Sequence, residues 1–172
     1  MDNEFSQSLL GNSFPVLDED NQMSKYNEKI EKFYKVIVPF KYRNLMIGVT
    51  VFASIITLGL INISSRLRQN IEHHALIIQT ENGYYITQFG DEINPKLEYK
   101  DSMKDCIAPI LKKYNRKKYL LKEMNIPKGA TSILKIRSSI ISLKEKYNSN
   151  NYDFFNNNCQ HYLKDLLKLL KQ

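Results

Sequence analysis

The chain has 172 residues, of which 42% are hydrophobic and 25% are charged. This length suits one domain with an appendage, and this composition excludes a wholly disordered chain. Two cysteines and three histidines exclude a disulfide framework and a histidine-rich metal tract, and no glycine-rich phosphate loop occurs. No metal ion or organic cofactor is implied by these patterns.

The net charge of +7 comes from the last part of the chain. Residues 1–43 and 44–95 are slightly acidic, whereas residues 96–172 hold 17 basic and seven acidic residues. A basic surface of this kind suits nucleic acid, anionic lipid or an acidic protein, or it is simply a solvated lysine-rich surface. Because the basic residues are mostly lysines and no aromatic residues interleave with them, we expect no specific nucleic-acid partner.

The first two segments predict a tail and a helix. Residues 1–24 mix polar, acidic and small residues without a period, which predicts a disordered tail. In residues 25–43, four apolar residues recur at helical spacing until Pro39 interrupts them, which predicts a short amphipathic helix. The four residues are Tyr26, Ile30, Phe33 and Ile37.

Residues 44–63, NLMIGVTVFASIITLGLINI, carry no charge and have basic residues on both sides. An uncharged run of about 18 residues or more is a candidate transmembrane helix. The alternative is a buried hydrophobic helix followed by a strand, because several polar residues dilute the run and many of its residues are β-branched. We expect a single membrane pass, and the sequence leaves open the side on which the rest of the chain lies.

The remaining segments alternate between strand and helix patterns. Residues 72–89 predict a β-hairpin, since two β-rich runs, HHALIIQT and YYITQF, lie on either side of Asn82-Gly83. Residues 91–130 are polar and predict one short helix and one strand. Ser132 caps the next predicted helix, and the last segment, YDFFNNNCQHYLKDLLKLL, predicts a closing helix with an apolar stripe.

A cysteine at a helix start and two histidines on a strand carry the possible chemistry. Cys159 lies in the first turn of the closing helix, after a cap at Asn157 or Asn158. The helix dipole and the N–H groups there favour a thiolate and can hold an oxyanion. A thiolate needs a base, and His73 and His74 alternate to opposite strand faces, so that one can face the cysteine. The same residues also fit a buried core cysteine and two surface histidines.

Two motifs resemble those of a known family. EHHALIIQTENGYYITQFG resembles the first-strand signature of lecithin retinol acyltransferase and related phospholipase/acyltransferase proteins, in which a His, a bulky residue and Ala-Leu open a hairpin. YDFFNNNCQHYLKDLL resembles their second signature, an Asn-Cys run on a helix followed by an acidic or amide residue, a His and an aromatic residue. The order, His first and Cys last, is similar to that of the circularly permuted papain-like branch of the NlpC-type superfamily.

The resemblance implies that Cys159 is the nucleophile and His73 the base, with His74 at the bulky position. Family members orient the imidazole with a third polar residue on the next strand, usually a His, which this chain lacks there. If Asn82-Gly83 forms a two-residue turn, strand parity puts Gln88 on the face of His73, where its amide oxygen can accept from the ring. Gln88 is therefore predicted to be the orienting residue.

Together these observations predict an α+β fold. It would be a circularly permuted papain-like (NlpC-type) domain over residues 64–172, with an antiparallel sheet packed on helices, preceded by the hydrophobic helix. The expected function is that of a Cys/His thiol-dependent acyltransferase or hydrolase. It would act on an ester or amide bond of a lipid or other acyl-bearing substrate at a membrane, through an acyl-thioester.

Two other functions remain open at this point. The first is a thiol peptidase or amidase of the same fold. The second is a catalytically inactive, membrane-anchored interaction module. Cys106 is expected to be structural or incidental, and the sequence leaves the choice between hydrolysis and transfer, and the oligomeric state, undecided.

The membrane span is testable by fractionation. A helix over residues 44–63 would be about 30 Å long, which matches the hydrocarbon core of a bilayer. We therefore expect the full-length chain to stay in the membrane fraction through alkaline carbonate and high-salt washes. The double variant Ile55→Lys, Ile56→Lys should be released, because two central charges oppose insertion. Release of the unaltered chain by either wash would instead assign the run to the protein core.

Overall fold

The computed structural model describes residues 28–39, 72–90, 92–153 and 156–172. These residues form an α+β fold with a five-stranded antiparallel sheet and three α-helices. The strand order is β4-β3-β2-β1-β5, so that β2 lies at the centre. The elements, in chain order, are β1 (Ile30–Pro39), β2 (Glu72–Thr80), β3 (Tyr84–Gln88), β4 (Glu98–Lys100), α1 (Met103–Lys113), β5 (Leu120–Met124), α2 (Ile133–Ser142), a 3₁₀ turn (Ser149–Asn151) and α3 (Cys159–Leu169).

Strand β1 lies where the sequence pattern predicted an amphipathic helix, and that prediction is wrong for Ile30–Pro39. The segment contains Val36-Ile37-Val38, and β-branched residues of this kind favour extended backbone. Strand β1 pairs antiparallel with β2 on one side and with β5 on the other. Tertiary pairing thus outweighs the helical spacing, and the folded domain begins before residue 64.

The predicted β-hairpin is confirmed, with a shift in its turn. Strand β2 pairs with β3 so that Gln79 lies opposite Tyr84. Thr80 N donates to Gly83 O at 2.9 Å, which makes Glu81 and Asn82 the two loop residues. Gly83 is not a loop residue but packs closely against Tyr99. A Cβ at this position would come within 2.5 Å of the Tyr99 hydroxyl oxygen, so only glycine fits without a shift. The register differs by two residues from the one that a turn at Asn82-Gly83 would give, so every side chain stays on the predicted face of the sheet.

Residues 92–130 hold the predicted short helix, α1, but two strands, β4 and β5, in place of the one expected. The caps follow the usual rule that a side-chain oxygen accepts from an N–H of the first turn. Ser132 caps α2 as predicted, by accepting from Lys135 N at 3.2 Å. Asn158, one of the two residues suggested as a cap, is the N-cap of α3.

The sheet is covered on both faces in the described part of the chain, and each face has its own core. Helix α1 packs on one face, which we call the α1 face, and α2 and α3 pack on the other, the α3 face. Alternation along β2 distributes its residues between them. Ala75 and Ile77 belong to the α1 face, whereas Leu76 and Ile78 belong to the α3 face.

The predicted hydrophobic helix over 44–63 lies outside the described residues. Among the helices that the structure describes, none has the length and apolar character that crossing a bilayer requires.

Candidate functional site

Cys159 begins helix α3, as its sequence context predicted. The side-chain oxygen of Asn158 accepts from Gln160 N at 2.9 Å and from His161 N at 3.3 Å, which fixes the first turn. The cap residue is itself buried. The cysteine therefore stands at the positive end of the helix dipole, in a turn whose geometry is held by its own neighbour.

The thiol of Cys159 contacts the main chain of strand β2. His74 N donates to Sγ at 3.3 Å, and Sγ donates to Glu72 O at 3.6 Å. The β2–β3 pairing ends at Ala75 and Gln88, so these main-chain groups lie beyond the last β3 partner. The sulfur lies where a further β3 residue would pair with β2. It joins the histidine motif to the cysteine motif, since His74 and Cys159 are 85 residues apart in the sequence.

Burial dominates the ionisation of this thiol. The side chain is 2% exposed, and this burial raises the pKa of Cys159 to about 11. The N–H groups of His74, Gln160 and Cys159 itself, and the charge of Lys35, act in the opposite direction. The N–H groups at the helix start thus favour the thiolate, as expected, but burial has the larger effect and the thiol keeps its proton at neutral pH.

His73 points to the α1 face, away from the face on which helix α3 packs. Its Nε2 lies 2.8 Å from Gln88 Oε1, and its Nδ1 lies 3.0 Å from the Tyr114 hydroxyl. Since an amide oxygen can only accept, Nε2 carries the proton and Nδ1 accepts from Tyr114. The predicted pairing of His73 with Gln88 is present, but the structure does not bring His73 into hydrogen-bond contact with Cys159.

His74 lies on the same face as helix α3. It is opposite Ile37 on β1, and by alternation its side chain points to the side of Leu76. Its ring is buried, and within the described residues neither ring nitrogen has a hydrogen-bond partner. The Glu72 carboxylate lies 3.6 Å from Nε2. His74 is thus the histidine on the same side of the sheet as Cys159, although the family resemblance gives it only the bulky position of the motif.

Both histidines are neutral in the folded chain at pH 7. Burial lowers the pKa of His73 to about 4, against the opposing effect of its bond to Gln88. Burial lowers the pKa of His74 to about 3, and the charge of Lys35 adds to this. Each ring is therefore in its uncharged form, in which it can accept a proton, although the low pKa makes it a weak acceptor until a neighbouring charge stabilises the imidazolium.

Sequence reasoning missed two residues of this region. Lys35 is half-buried on the α3 face, and burial lowers its pKa while Cys159 and Glu72 favour its charge. The helical spacing in β1 hides this position, although the β-branched run around it is a signal for a strand. Tyr114, at the end of α1, packs on the His73 ring with centroids 4.6 Å apart. No sequence signal linked it to the strand.

The second cysteine, Cys106, lies in the α1-face core with Ile107 and Ile110. Burial raises the pKa of Cys106 to about 12. Its position agrees with the structural role expected for it.

Comparisons with known protein families, curated proteins and solved structures found no match for this chain. Among the described residues, no group of three or more histidine, cysteine, aspartate or glutamate side chains is arranged to hold a metal ion. The family resemblance therefore rests on the two motifs themselves.

The buried histidines make the stability of the fold depend on pH. Because His73 has a lower pKa in the folded chain than the 6.5 of an unfolded one, the unfolded chain binds more protons below that value. The free energy of unfolding should be highest above pH 6.5 and fall as the pH drops towards 4, by up to about 1.4 kcal/mol per pH unit for each histidine. Urea unfolding at pH 7.5, 5.5 and 4.5 measures this.

The matched variants for this measurement are His73→Gln and His161→Gln. The first should reduce the loss of stability at low pH, and the second, which replaces a histidine outside the sheet, controls for the substitution itself. Equal pH dependence in the unaltered chain and His73→Gln would contradict the burial of a neutral His73.

Proposed function

We propose that this chain is a thiol-dependent acyltransferase or hydrolase with a permuted papain-like domain, in which Cys159 is the nucleophile. The observation that carries the proposal is the contact of Cys159 Sγ with the main chain of β2 at His74, 3.3 Å away. This contact unites the histidine motif with the cysteine motif, in the order that the resemblance to the lecithin retinol acyltransferase proteins implies. The helix start beside the sulfur also supplies N–H groups for an oxyanion.

His74 is the base in this proposal, which departs from the assignment of His73 that the resemblance implies. His74 shares the α3 face with Cys159, and its ring nitrogens have no hydrogen-bond partner in the described chain. The nearby carboxylate of Glu72 can stabilise the imidazolium that forms when the ring takes a proton. His73, in contrast, already uses both ring nitrogens, on Gln88 and Tyr114.

The proposed reaction proceeds in two steps. His74 takes the thiol proton while Sγ attacks the carbonyl carbon of an ester or amide, so that a carbon–sulfur bond forms. The imidazolium returns the proton to the leaving alcohol or amine as the carbon–oxygen or carbon–nitrogen bond breaks. Water or an acceptor hydroxyl or amine then attacks the thioester carbonyl and gives its proton to His74. A carbon–oxygen or carbon–nitrogen bond forms, the carbon–sulfur bond breaks, and His74 returns the proton to Sγ.

The favoured substrate is the acyl group of a lipid. Two observations support this choice over a peptide: the motifs resemble those of acyltransferases on lipids, and residues 44–63 form an uncharged run suited to a membrane. A thiol peptidase or amidase would use the same residues. Comparing turnover of a phospholipid and of a peptide substrate separates these activities.

A second candidate function is a catalytically inactive interaction module of the same fold. The pKa of about 11 for Cys159 favours it, because a thiol that rarely ionises is a poor nucleophile. The described residues also hold no hydrogen bond between Sγ and an imidazole ring. An enzyme requires that substrate entry rearrange the Cys159 side chain, whereas an interaction module does not.

The nucleophile assignment is tested by comparing the two cysteines. Cys159→Ala should abolish both turnover and labelling by an acyl-directed thiol probe, whereas Cys106→Ala should keep the labelling, because Cys106 lies in the α1-face core. Mass spectrometry of the labelled peptide identifies the site. Labelling that survives in Cys159→Ala, or that falls equally in Cys106→Ala, would contradict the assignment.

The base assignment is tested by comparing the two histidines. His74→Ala should lower kcat by about 10²-fold or more, the usual effect of losing a general base. His73→Ala should mainly lower the free energy of unfolding, since it removes the bonds to Gln88 and Tyr114. Both variants are assayed at a temperature at which circular dichroism shows them folded. A normal kcat in His74→Ala with a dead, folded His73→Ala would return the role of base to His73.

A further inference from the structure

The segment that joins α1 to β5 is strongly basic. Residues 111–120, LKKYNRKKYL, which we call the basic segment, hold five basic residues and no acidic one. Lys113 lies 3.9 Å from the Glu92 carboxylate. Lys117 and Lys118 are exposed and make no ion pair within the described ranges. The basic segment therefore presents a concentrated positive charge to its surroundings.

Two large apolar side chains of the basic segment are exposed beside these charges. Tyr119 is 45% exposed and Leu120 is 60% exposed, which makes Leu120 the most exposed large hydrophobic residue in the described part of the chain. Hydration alone explains exposed lysines, but the two apolar side chains would gain free energy from burial against a partner. Basic residues next to an exposed tyrosine and leucine are typical of surfaces that meet the headgroup region of an anionic bilayer.

The basic segment lies at the same end of the sheet as the candidate nucleophile. The register places Leu120 opposite Ile37, which is itself opposite His74. Residues in such a row point to one face, so Leu120 shares the α3 face with His74, two strands or about 10 Å away. Cys159 Sγ accepts from His74 N at this end. A partner that covered Leu120 would therefore come close to the sulfur.

The course of the chain favours a bilayer as that partner. Strand β1 ends at Pro39, which pairs with Glu72 at the start of β2. Residues 40–71 thus leave and re-enter the described fold at the end of the sheet where the basic segment lies. They include the uncharged run 44–63, for which a bilayer is the expected environment. A bilayer that received this run would face Tyr119 and Leu120.

We propose that the basic segment is a docking surface for an anionic lipid bilayer. Tyr119 and Leu120 enter the headgroup region, and Lys117 and Lys118 bind lipid phosphate groups. This inference goes beyond the proposed function, because an inactive interaction module would dock in the same way. In an enzyme, docking by this surface also turns the Cys159 end of the sheet towards the lipid.

A tryptophan in the basic segment reports its contact with lipid, because the chain has no tryptophan of its own. The full-length Tyr119→Trp chain is added to vesicles of equal parts phosphatidylserine and phosphatidylcholine, in which brominated acyl chains quench a tryptophan that reaches them. We expect strong quenching and blue-shifted emission at low salt. Quenching should weaken at high salt and in vesicles of phosphatidylcholine alone, since both remove the attraction between lysines and lipid.

The matched control for position is Leu134→Trp. Leu134 is also an exposed apolar residue, at 50%, but it lies in the first turn of α2. The chain just before that turn meets the end of α3, where Gly129 N donates to Leu170 O at 2.8 Å. Since Cys159 begins α3, Leu134 is at the opposite end of this helix, and its tryptophan should be quenched little.

Charge variants of the Tyr119→Trp chain test the two lysines. Lys117→Gln combined with Lys118→Gln should lower the equilibrium constant for lipid contact about 30-fold, because each basic residue near an anionic surface contributes about fivefold. Lys128→Gln combined with Lys171→Gln removes the same charge near the end of α3 and should change the quenching little. Quenching is measured as a function of phosphatidylserine content.

Equal quenching of the two tryptophans, or equal weakening by the two pairs of charge variants, would overturn the docking surface. Emission from Tyr119→Trp that is already blue-shifted in buffer would overturn it too, because the chain itself would then cover the segment. Tighter binding of an RNA oligonucleotide than of the vesicles, at equal phosphate concentration, would make nucleic acid the partner instead. Docking by a chain that turns over no acyl substrate would retain the surface and refute the proposed enzyme.

Discussion

Burial of β2 on both faces is the constraint on which the rest of this structure depends. The strand is central in the sheet, and every residue from His73 to Ile78 is buried. Two adjacent polar side chains in such a strand cannot share one environment, because alternation sends them into different cores. One histidine is held by Gln88 and Tyr114 on the α1 face. The ring nitrogens of the other have no hydrogen-bond partner among the described residues of the α3 face.

The same burial sets the chemistry of the region. Removal from water disfavours every charged form, so it raises the pKa of the thiol and lowers those of both imidazoles. The helix start, the β2 main chain and Lys35 favour the thiolate, but their combined effect is smaller than that of burial. A substrate that brings its own dipoles or charge into this region would change the balance, since the opposing groups are already in position.

Local signals predicted much of this fold. The hairpin, the caps at Ser132 and Asn158, and the place of Cys159 each depend on a few adjacent residues, and each was found from the sequence. Strand β1 was not, because Tyr26, Ile30, Phe33 and Ile37 follow a helical period that only the pairing with β2 and β5 overrides. Parity correctly paired Gln88 with His73 even though the turn was misplaced, since a shift of two residues preserves the faces. Which histidine faces helix α3 depends on the packing of helices far apart in sequence, and no local pattern contains that information.

The sulfur of Cys159 also has a mechanical role, because it completes the edge of β2 where β3 has ended. As a thiol it both accepts from His74 N and donates to Glu72 O. An acylated or alkylated sulfur has no proton, so the Glu72 carbonyl would lose its donor and need another. Covalent modification at this position therefore removes a contact from the end of β2, which β1 still pairs on its other side, and it does so beside the two histidines. The state of one sulfur atom is in this way linked to the hydrogen bonding at the end of β2.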